Sequence, residues 1–232
     1  MTISKWIPMN TNIKDYYDNL ANEYDDDRFG NSYGKYLDVQ EKLILQKWLG
    51  NTEAQNVLDL GCGTGRFLEF ANTGLDISPK MLAIAQQKFP SKKLVLSTAT
   101  QSPFESETFD IIISFHVLMH LNRSTLQEIL VETHRILKKN GRFVFDIPSK
   151  HRRKLTKYRA KNWHGSNDLT IEELQKVIGK QWKINQYQGI AFFPIHRIPK
   201  RLRPSFIRLD NFLCRSPFKK YASYLIFEFV KI

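Results

Sequence analysis

Nine residues constrain this chain more than any others: Val57-Leu58-Asp59-Leu60-Gly61-Cys62-Gly63-Thr64-Gly65. Val57, Leu58 and Leu60 make a short apolar run of the kind that is buried as a strand. The glycines that follow at alternate positions let the backbone turn tightly and approach a ligand without side chains in the way. The remaining pattern repeats the unit. A short helix is predicted over residues 66–71 and a second strand over 74–77. Ser78 caps a helix over 79–88 that has Pro79 at its first position. Strands over 94–96 and 109–115 follow, then a helix over 125–137 ended by Asn140-Gly141, and a strand over 142–147. Alternation of this kind predicts a mostly parallel sheet with helices on both faces.

The flanks read differently. Residues 14–24 carry Tyr16, Tyr17, Leu20, Ala21 and Tyr24 at helical spacing, and Asp25-Asp26-Asp27 with Phe29-Gly30-Asn31 break that helix before it resumes over 36–49. Beyond residue 150, Thr170 and Glu173 form a capping box for a helix over 170–179. Two strands, 182–190 and 224–232, are separated by 33 residues rich in proline and arginine, with a short helix over 205–213. There is no internal repeat and no low-complexity segment. One core can serve 232 residues, so a single structural domain is expected.

The glycine turn is not a dinucleotide fingerprint. That needs G-x-G-x-x-G, and the residue three after Gly63 is Arg66. Asp59 at the strand end would repel a pyrophosphate, whereas it suits a cofactor without phosphate that carries a cationic amino or sulfonium group. Asp76, at the end of the second strand, is placed to accept hydrogen bonds from ribose hydroxyls.

Taken in order, V-L-D-L-G-C-G-T-G, G-L-D-I-S-P-K-M-L and F-D-I-I-I-S-F resemble the class I S-adenosylmethionine-dependent methyltransferases, over roughly residues 13–147. The resemblance implies a Rossmann-like seven-stranded sheet whose last strand is antiparallel, with S-adenosylmethionine as cofactor and S-adenosylhomocysteine as product. It divides the chain into an N-terminal helical lid (1–50), a cofactor-binding core (51–150) and a basic part (151–232) that completes the sheet and the acceptor pocket, with a basic insert between the last two strands. It puts Asp59, Gly61, Cys62, Gly63 and Gly65 around the methionine part of the cofactor and Asp76 with Ile77 at the ribose. Residues 97–104 match a stretch that often reads D-A-x-x-L-P-F. Thr98 stands where an acid usually contacts the adenine, so more falls to the Ala99 backbone amide. Ser114, closing the fourth strand, is expected to border the cofactor. By the same resemblance the N-terminal helix folds over the cofactor, making Tyr16, Tyr17, Tyr24 and Arg28 candidate contacts.

Methyl transfer is an in-line displacement, helped chiefly by alignment of the reacting atoms, with a base where the acceptor keeps its proton. His116 and His120 follow the fourth strand, where the sheet edge faces the ligand crevice, and His196 in the insert is a third candidate base. No N/D-P-P-Y/F/W stands after that strand, which lowers the readings of DNA, RNA or protein nitrogen as acceptor. Cys62 and Cys214 are far apart in sequence, so neither a disulfide scaffold nor a zinc site is expected, and no metal is assigned.

Residues 1–149 hold 16 basic and 18 acidic side chains and residues 150–232 hold 19 and 5, so the net charge of +12 arises entirely in the last third. An anionic partner follows. Between Ile195 and Lys220, arginines and lysines alternate with Phe206, Ile207, Leu209, Phe212 and Leu213. Such a segment suits a lid gripping carboxylate or phosphate, or an amphipathic surface on anionic lipid. The expected function is methylation of an O or N atom of a small, anionic or lipophilic metabolite. The alternatives are RNA or a peptide docked on the basic face, and a non-catalytic cofactor-binding partner protein. No leader is visible in residues 1–10 and no apolar run reaches membrane-spanning length, so a cytoplasmic location is the expectation.

Overall fold

The computed structural model describes residues 9–160, Trp163 and 165–232, with residues 9–12 described by backbone alone. The reading of the first eight residues, and Lys161 at the end of the basic run, lie outside them. Seven strands form one sheet: β1 Val57–Leu60, β2 Thr73–Asp76, β3 Lys93–Leu96, β4 Phe109–Ser114, β5 Leu137–Pro148, β6 Trp182–Ile190 and β7 Tyr224–Lys231. Their order is β3-β2-β1-β4-β5-β7-β6. The first five run parallel, and β7 enters antiparallel to both β5 and β6. The order reverses between β1 and β4, which opens a crevice at their carboxyl ends.

Eight helices surround the sheet among the described residues: α1 Met9–Leu20, α2 Tyr24–Phe29, α3 Ser32–Leu49, α4 Pro79–Lys88, α5 Arg123–Ile136, α6 Lys150–Thr156, α7 Ile171–Ile178 and α8 Arg203–Leu213. Their starts follow local chemistry. Asn31, Ser78, Asn122 and Thr170 each accept an amide hydrogen at a helix N-terminus, and the Thr170–Glu173 capping box is complete. Each cap contributes about 1 kcal/mol. Two apolar cores lie on opposite faces of the sheet. Leu58, Phe143, Phe145 and Phe227 pack with Leu126 and Ile129 of α5, while Ile111, Ile113, Val144 and Ile226 pack with Ile44 and Leu45 of α3.

Three local readings are corrected. Residues 66–71 form consecutive tight turns, with Leu68 N donating to Gly65 O and Phe70 N to Phe67 O, because the crossover to β2 is too short for a helix. Asp25, Asp26 and Asp27 do not break the helical region. They fill the first turn of α2, where carboxylates face a helix's positive end. Asn140-Gly141 does not end α5, which stops at Ile136. Leu137 already pairs with Phe109, and Asn140 (φ 62°) turns the chain inside β5 before Arg142 pairs with Ile111.

The insert between β6 and β7 is fastened to α3. The Asp210 carboxyl group, fully buried, accepts from Tyr36 Oη (2.8 Å), Gln40 Nε2 (3.0 Å) and Phe193 N (2.6 Å). Thus α3 belongs to the body of the fold, and only α1 and α2 lie over the crevice.

Candidate active site

The glycine turn is built around one carbonyl. Gly61 N and Cys62 N both donate to Leu75 O (2.7 and 3.0 Å). Gly61 has φ +79°, and a Cβ there would lie 2.3 Å from a Val117 methyl. Gly63 (φ +53°) faces open space and gives its N–H to Asp76 Oδ2 (2.8 Å), while Ser78 N donates to Asp76 Oδ1 (2.8 Å). Burial raises the pKa of Asp76 despite these amides. A cavity of about 880 Å³ opens here, lined by Gly61, Gly63, Asp76, Ile77, Thr98 and Ala99 among others, with Tyr17 and Tyr24 from the overlying helices. Its Thr98 wall is braced through Glu132, which accepts from Ser102 N (2.9 Å) and pairs with Arg135 (2.7 Å).

A smaller cavity of about 320 Å³ adjoins the turn and is lined by Asp59, Cys62, Thr64, Arg66 and Phe29 among others. Asp59 is 1% exposed and its Oδ2 has no partner; burial, then the Asp76 charge, push its pKa up to about 8, with Arg66 opposing. Arg66 lies between the rings of Phe29 (3.9 Å) and Phe67 (4.1 Å) and pairs with Glu41 through Nη2, while its buried Nη1 has no partner. One cavity therefore holds an unsatisfied carboxylate oxygen and an unsatisfied guanidinium nitrogen. Buried polar atoms are rarely left without a partner, and a ligand carrying both an amino and a carboxylate group would satisfy this pair.

His116 lies where all three cavities meet. Its backbone is left-handed (φ 58°), and its N–H donates to Asp146 Oδ1 (2.6 Å). Ring Nε2 is 2.9 Å from Glu41 Oε1, and Nδ1 is 3.8 Å from Asp146 Oδ2, which has no hydrogen-bond partner. Burial alone would lower the His116 pKa, but the Glu41 and Asp146 charges outweigh it and raise it. Glu41 is held low by Arg66 and His116 against its burial, whereas burial raises Asp146. The three side chains also bring metal-type donors within 4.8 Å of one another, a juxtaposition that the sequence reading of no metal site did not contain. The positive charges of Arg66 and a protonated His116 balance the two carboxylates.

His120 is committed differently. Its Nδ1 accepts from Gly165 N (2.9 Å), which fixes the neutral tautomer with hydrogen on Nε2. Burial pushes the Tyr17 phenol above its usual range and that of Tyr24 up to about 12, so both face the cavities as neutral hydroxyls.

A third cavity, of about 1320 Å³, shares Tyr17, Tyr24, His116 and His120 with the first and adds Tyr33, Tyr224, Arg28, Arg152 and Arg153. Arg28 donates to Tyr16 Oη (2.8 Å), and Arg153 to Gly165 O (2.6 Å). The half-buried Arg152 guanidinium makes no hydrogen bond or ion pair among the described residues.

Several predicted contacts lie elsewhere. Ser114 is fully buried, lines none of these cavities, and donates to Leu60 O (2.8 Å) between β1 and β4. Gly65 packs against Leu68, Phe89 and Ala85, and Tyr16 lines none of the cavities. Arg28 lines the third cavity and not the first. His196 stands outside them with its ring 4.8 Å from Tyr33, and burial lowers its pKa. The insert's arginines do not form a lid: Arg203 is spent on Ile198 O and His196 O, and none of the others lines a cavity. Both cysteines are free and buried, with burial raising their thiol pKa values. The sequence reading missed Glu41, Asp146 and Arg152. Only the acidic residue within the apolar run of β5 marked any of them.

A family model described as a methyltransferase domain matches residues 58–145. An uncharacterised protein of Methanocaldococcus jannaschii is 32% identical over 240 residues, covering 95% of this chain and 91% of that protein. A demethylmenaquinone methyltransferase of Tropheryma whipplei is 32% identical over 140 residues, 57% of each chain. Among solved structures, magnesium protoporphyrin IX methyltransferase from Synechocystis with bound S-adenosylmethionine superposes with a TM-score of 0.66 at 17% identity, covering 99% of this chain and all of that one.

Proposed function

The chain belongs to the class I S-adenosylmethionine-dependent methyltransferases, and from that premise we propose that it methylates an O or N atom of a small anionic acceptor held in the cavity between His116 and Arg152. The observation that carries this reading is the ring of four side chains, Tyr17, Tyr24, His116 and His120, shared by two cavities. A methyl group passing from one bound molecule to another has to cross such a boundary.

The first cavity and the smaller one adjoining it suit the cofactor on their own chemistry. In the first, Asp76 offers carboxylate oxygens to a ribose diol; in the smaller one, the unpartnered Asp59 Oδ2 and Arg66 Nη1 complement an α-amino and an α-carboxylate group. When bound, S-adenosylmethionine supplies a methyl group on a sulfonium, whose departure leaves a neutral thioether.

An acceptor hydroxyl or amine has to lose its proton as its lone pair bonds to the methyl carbon. His116 Nδ1 is the assigned proton acceptor. Glu41 holds the opposite ring nitrogen as N–H, and Asp146 Oδ2 faces the imidazolium that forms. His120 positions Gly165 instead, because its Nδ1 is already used. Arg152 supplies a charged fork for a carboxylate or phosphate remote from the reacting atom, between the aromatic walls of Tyr33 and Tyr224. One relative is named as a demethylmenaquinone methyltransferase and one structural neighbour as a magnesium protoporphyrin IX methyltransferase, and both names carry small-molecule acceptors.

The test uses methyl-labelled S-adenosylmethionine with an extract of the source cells, separated into small molecules, lipids, RNA and protein. Label is expected in small molecules that an anion exchanger retains. Label confined to RNA or protein overturns the acceptor class. Tight S-adenosylhomocysteine binding with no label in any fraction overturns catalysis.

A further inference from the structure

We infer that the insert between β6 and β7 is a docking surface for an anionic phospholipid bilayer. From Ile195 to Ser223 the chain carries eight lysines and arginines and a single acid, Asp210. Asp210 is buried against Tyr36, Gln40 and Phe193, so every exposed formal charge on this segment is positive. No ion pair involves any of the eight cations among the described residues.

The same surface displays large apolar side chains. Phe212 is 68% exposed, Phe218 58%, Leu202 53% and Leu209 45%. At about 100° per residue, Leu202, Ser205, Leu209 and Phe212 fall within roughly 80° of one another, forming one outward stripe on α8. Ile207 on the far side of α8 is half-buried, as are Phe206 and Leu213 between that side and the stripe, and Cys214 just beyond the helix is fully buried. The outward stripe is therefore not needed to attach the helix. Arg201, Arg208 and Arg215 flank it.

Apolar side chains projecting from a basic face match a headgroup region, where cations meet phosphate and the apolar tips enter the acyl boundary. RNA explains the cations but not the exposed leucines, since nucleic acid rewards phosphate contacts and aromatic stacking. Position adds a third argument. Both ends of the insert border the acceptor cavity: His196 contacts Tyr33, a cavity wall, and Ser149, just before α6 and its Arg152, donates to Lys220 O. On the proposed function, an anionic acceptor that partitions into the bilayer would leave it at this surface beside the cavity that receives it.

The test is sedimentation of the full chain, saturated with S-adenosylhomocysteine, with vesicles of phosphatidylcholine alone and of phosphatidylcholine mixed with phosphatidylglycerol. Binding is expected only to the mixed vesicles and should weaken with salt. Arg208→Gln with Arg215→Gln should weaken it about 25-fold, at about fivefold per cation. Phe212→Ser should weaken it about tenfold with S-adenosylhomocysteine affinity unchanged. Phe212→Trp keeps an aromatic side chain at this exposed site and, read against the unsubstituted chain with its four tryptophans, reports insertion through a blue-shifted emission on the mixed vesicles. An unshifted emission, equal binding to both vesicle types, or no binding to either overturns the proposal. So does retention on an RNA homopolymer that falls with the arginine pair while Phe212→Ser leaves vesicle binding intact.

Discussion

Asp59 is costly to the protein without its ligand. Burial and the neighbouring Asp76 raise its pKa from the ordinary carboxylate range to about 8, so folding takes up a proton across that interval and stability falls as pH rises through it. At pH 7 the folded group is mostly protonated, and taking up that proton costs on the order of 4 kcal/mol. Asp59→Asn should therefore raise the apo melting temperature at neutral pH by roughly 10 °C and abolish the further rise on adding S-adenosylhomocysteine. Scanning calorimetry with and without the ligand checks both halves. A lower apo melting temperature would show that Asp59 is satisfied without the cofactor. His116 runs the other way. Its pKa is raised by Glu41 and Asp146, so its charge contributes stability that is complete below the unfolded value of 6.5 and lost as pH rises through the folded value. The neutral ring is the base, hence kcat/KM should climb with pH along a limb above 6.5. His116→Gln should remove that limb and lower kcat by ~10²–10⁴-fold while leaving S-adenosylhomocysteine affinity intact. A variant of near-normal rate with the limb unchanged would remove His116 from proton transfer.

Elements explain why some features were legible and others not. The strand–glycine turn, the Ser78 cap, the Thr170–Glu173 box and the β6 span Trp182–Ile190 all depend on residues a few positions apart, and each appears where the sequence indicates it. The extension of β5 back to Leu137 depends on pairing with β4, and the failure of residues 66–71 to form a helix depends on the distance to β2. Neither is a local property. The same limit hid the site: Glu41 and Asp146 reach His116 from 75 and 30 residues away. The insert's attachment is another long-range feature, made by Asp210 across 174 residues to Tyr36. Asp210→Ala would strand a buried hydroxyl and a backbone N–H, at a cost of roughly 2–4 kcal/mol. Urea unfolding should register that loss. Cofactor affinity should hold, because neither Tyr36, Gln40 nor Phe193 lines the first cavity. A loss below about 0.5 kcal/mol would mean that the insert is held by other contacts.

At the scale of the molecule, the cavity floor and its cover are held by different forces. The floor is the sheet with two apolar cores, whereas α2 has no buried residue. Much of the cover's attachment is polar: Ser78 Oγ donates to Asp18 Oδ1 (2.5 Å), Thr64 Oγ1 to Asp25 Oδ1 (2.6 Å), and Lys88 pairs with Asp25. Surface ion pairs of this kind contribute about 1 kcal/mol or less each, so opening is inexpensive beside global unfolding. Tyr17 and Tyr24 line both large cavities from this cover, so ligand entry and product release are coupled to its movement. Amide exchange should therefore be fast over residues 13–29 and slow over α3, with S-adenosylhomocysteine slowing the former far more. Asp18→Asn with Asp25→Asn should speed S-adenosylhomocysteine release about tenfold, from the loss of some 1.4 kcal/mol of closure. Acid should do the same to the native protein. The Lys14 and Ser78 contacts hold the Asp18 pKa low against burial, so its closing contribution persists above the ordinary carboxylate range and is lost as pH falls through the lowered value. Equal protection of α1–α2 and α3 without ligand would mean that the cover is a fixed wall, and the cofactor would need another way in.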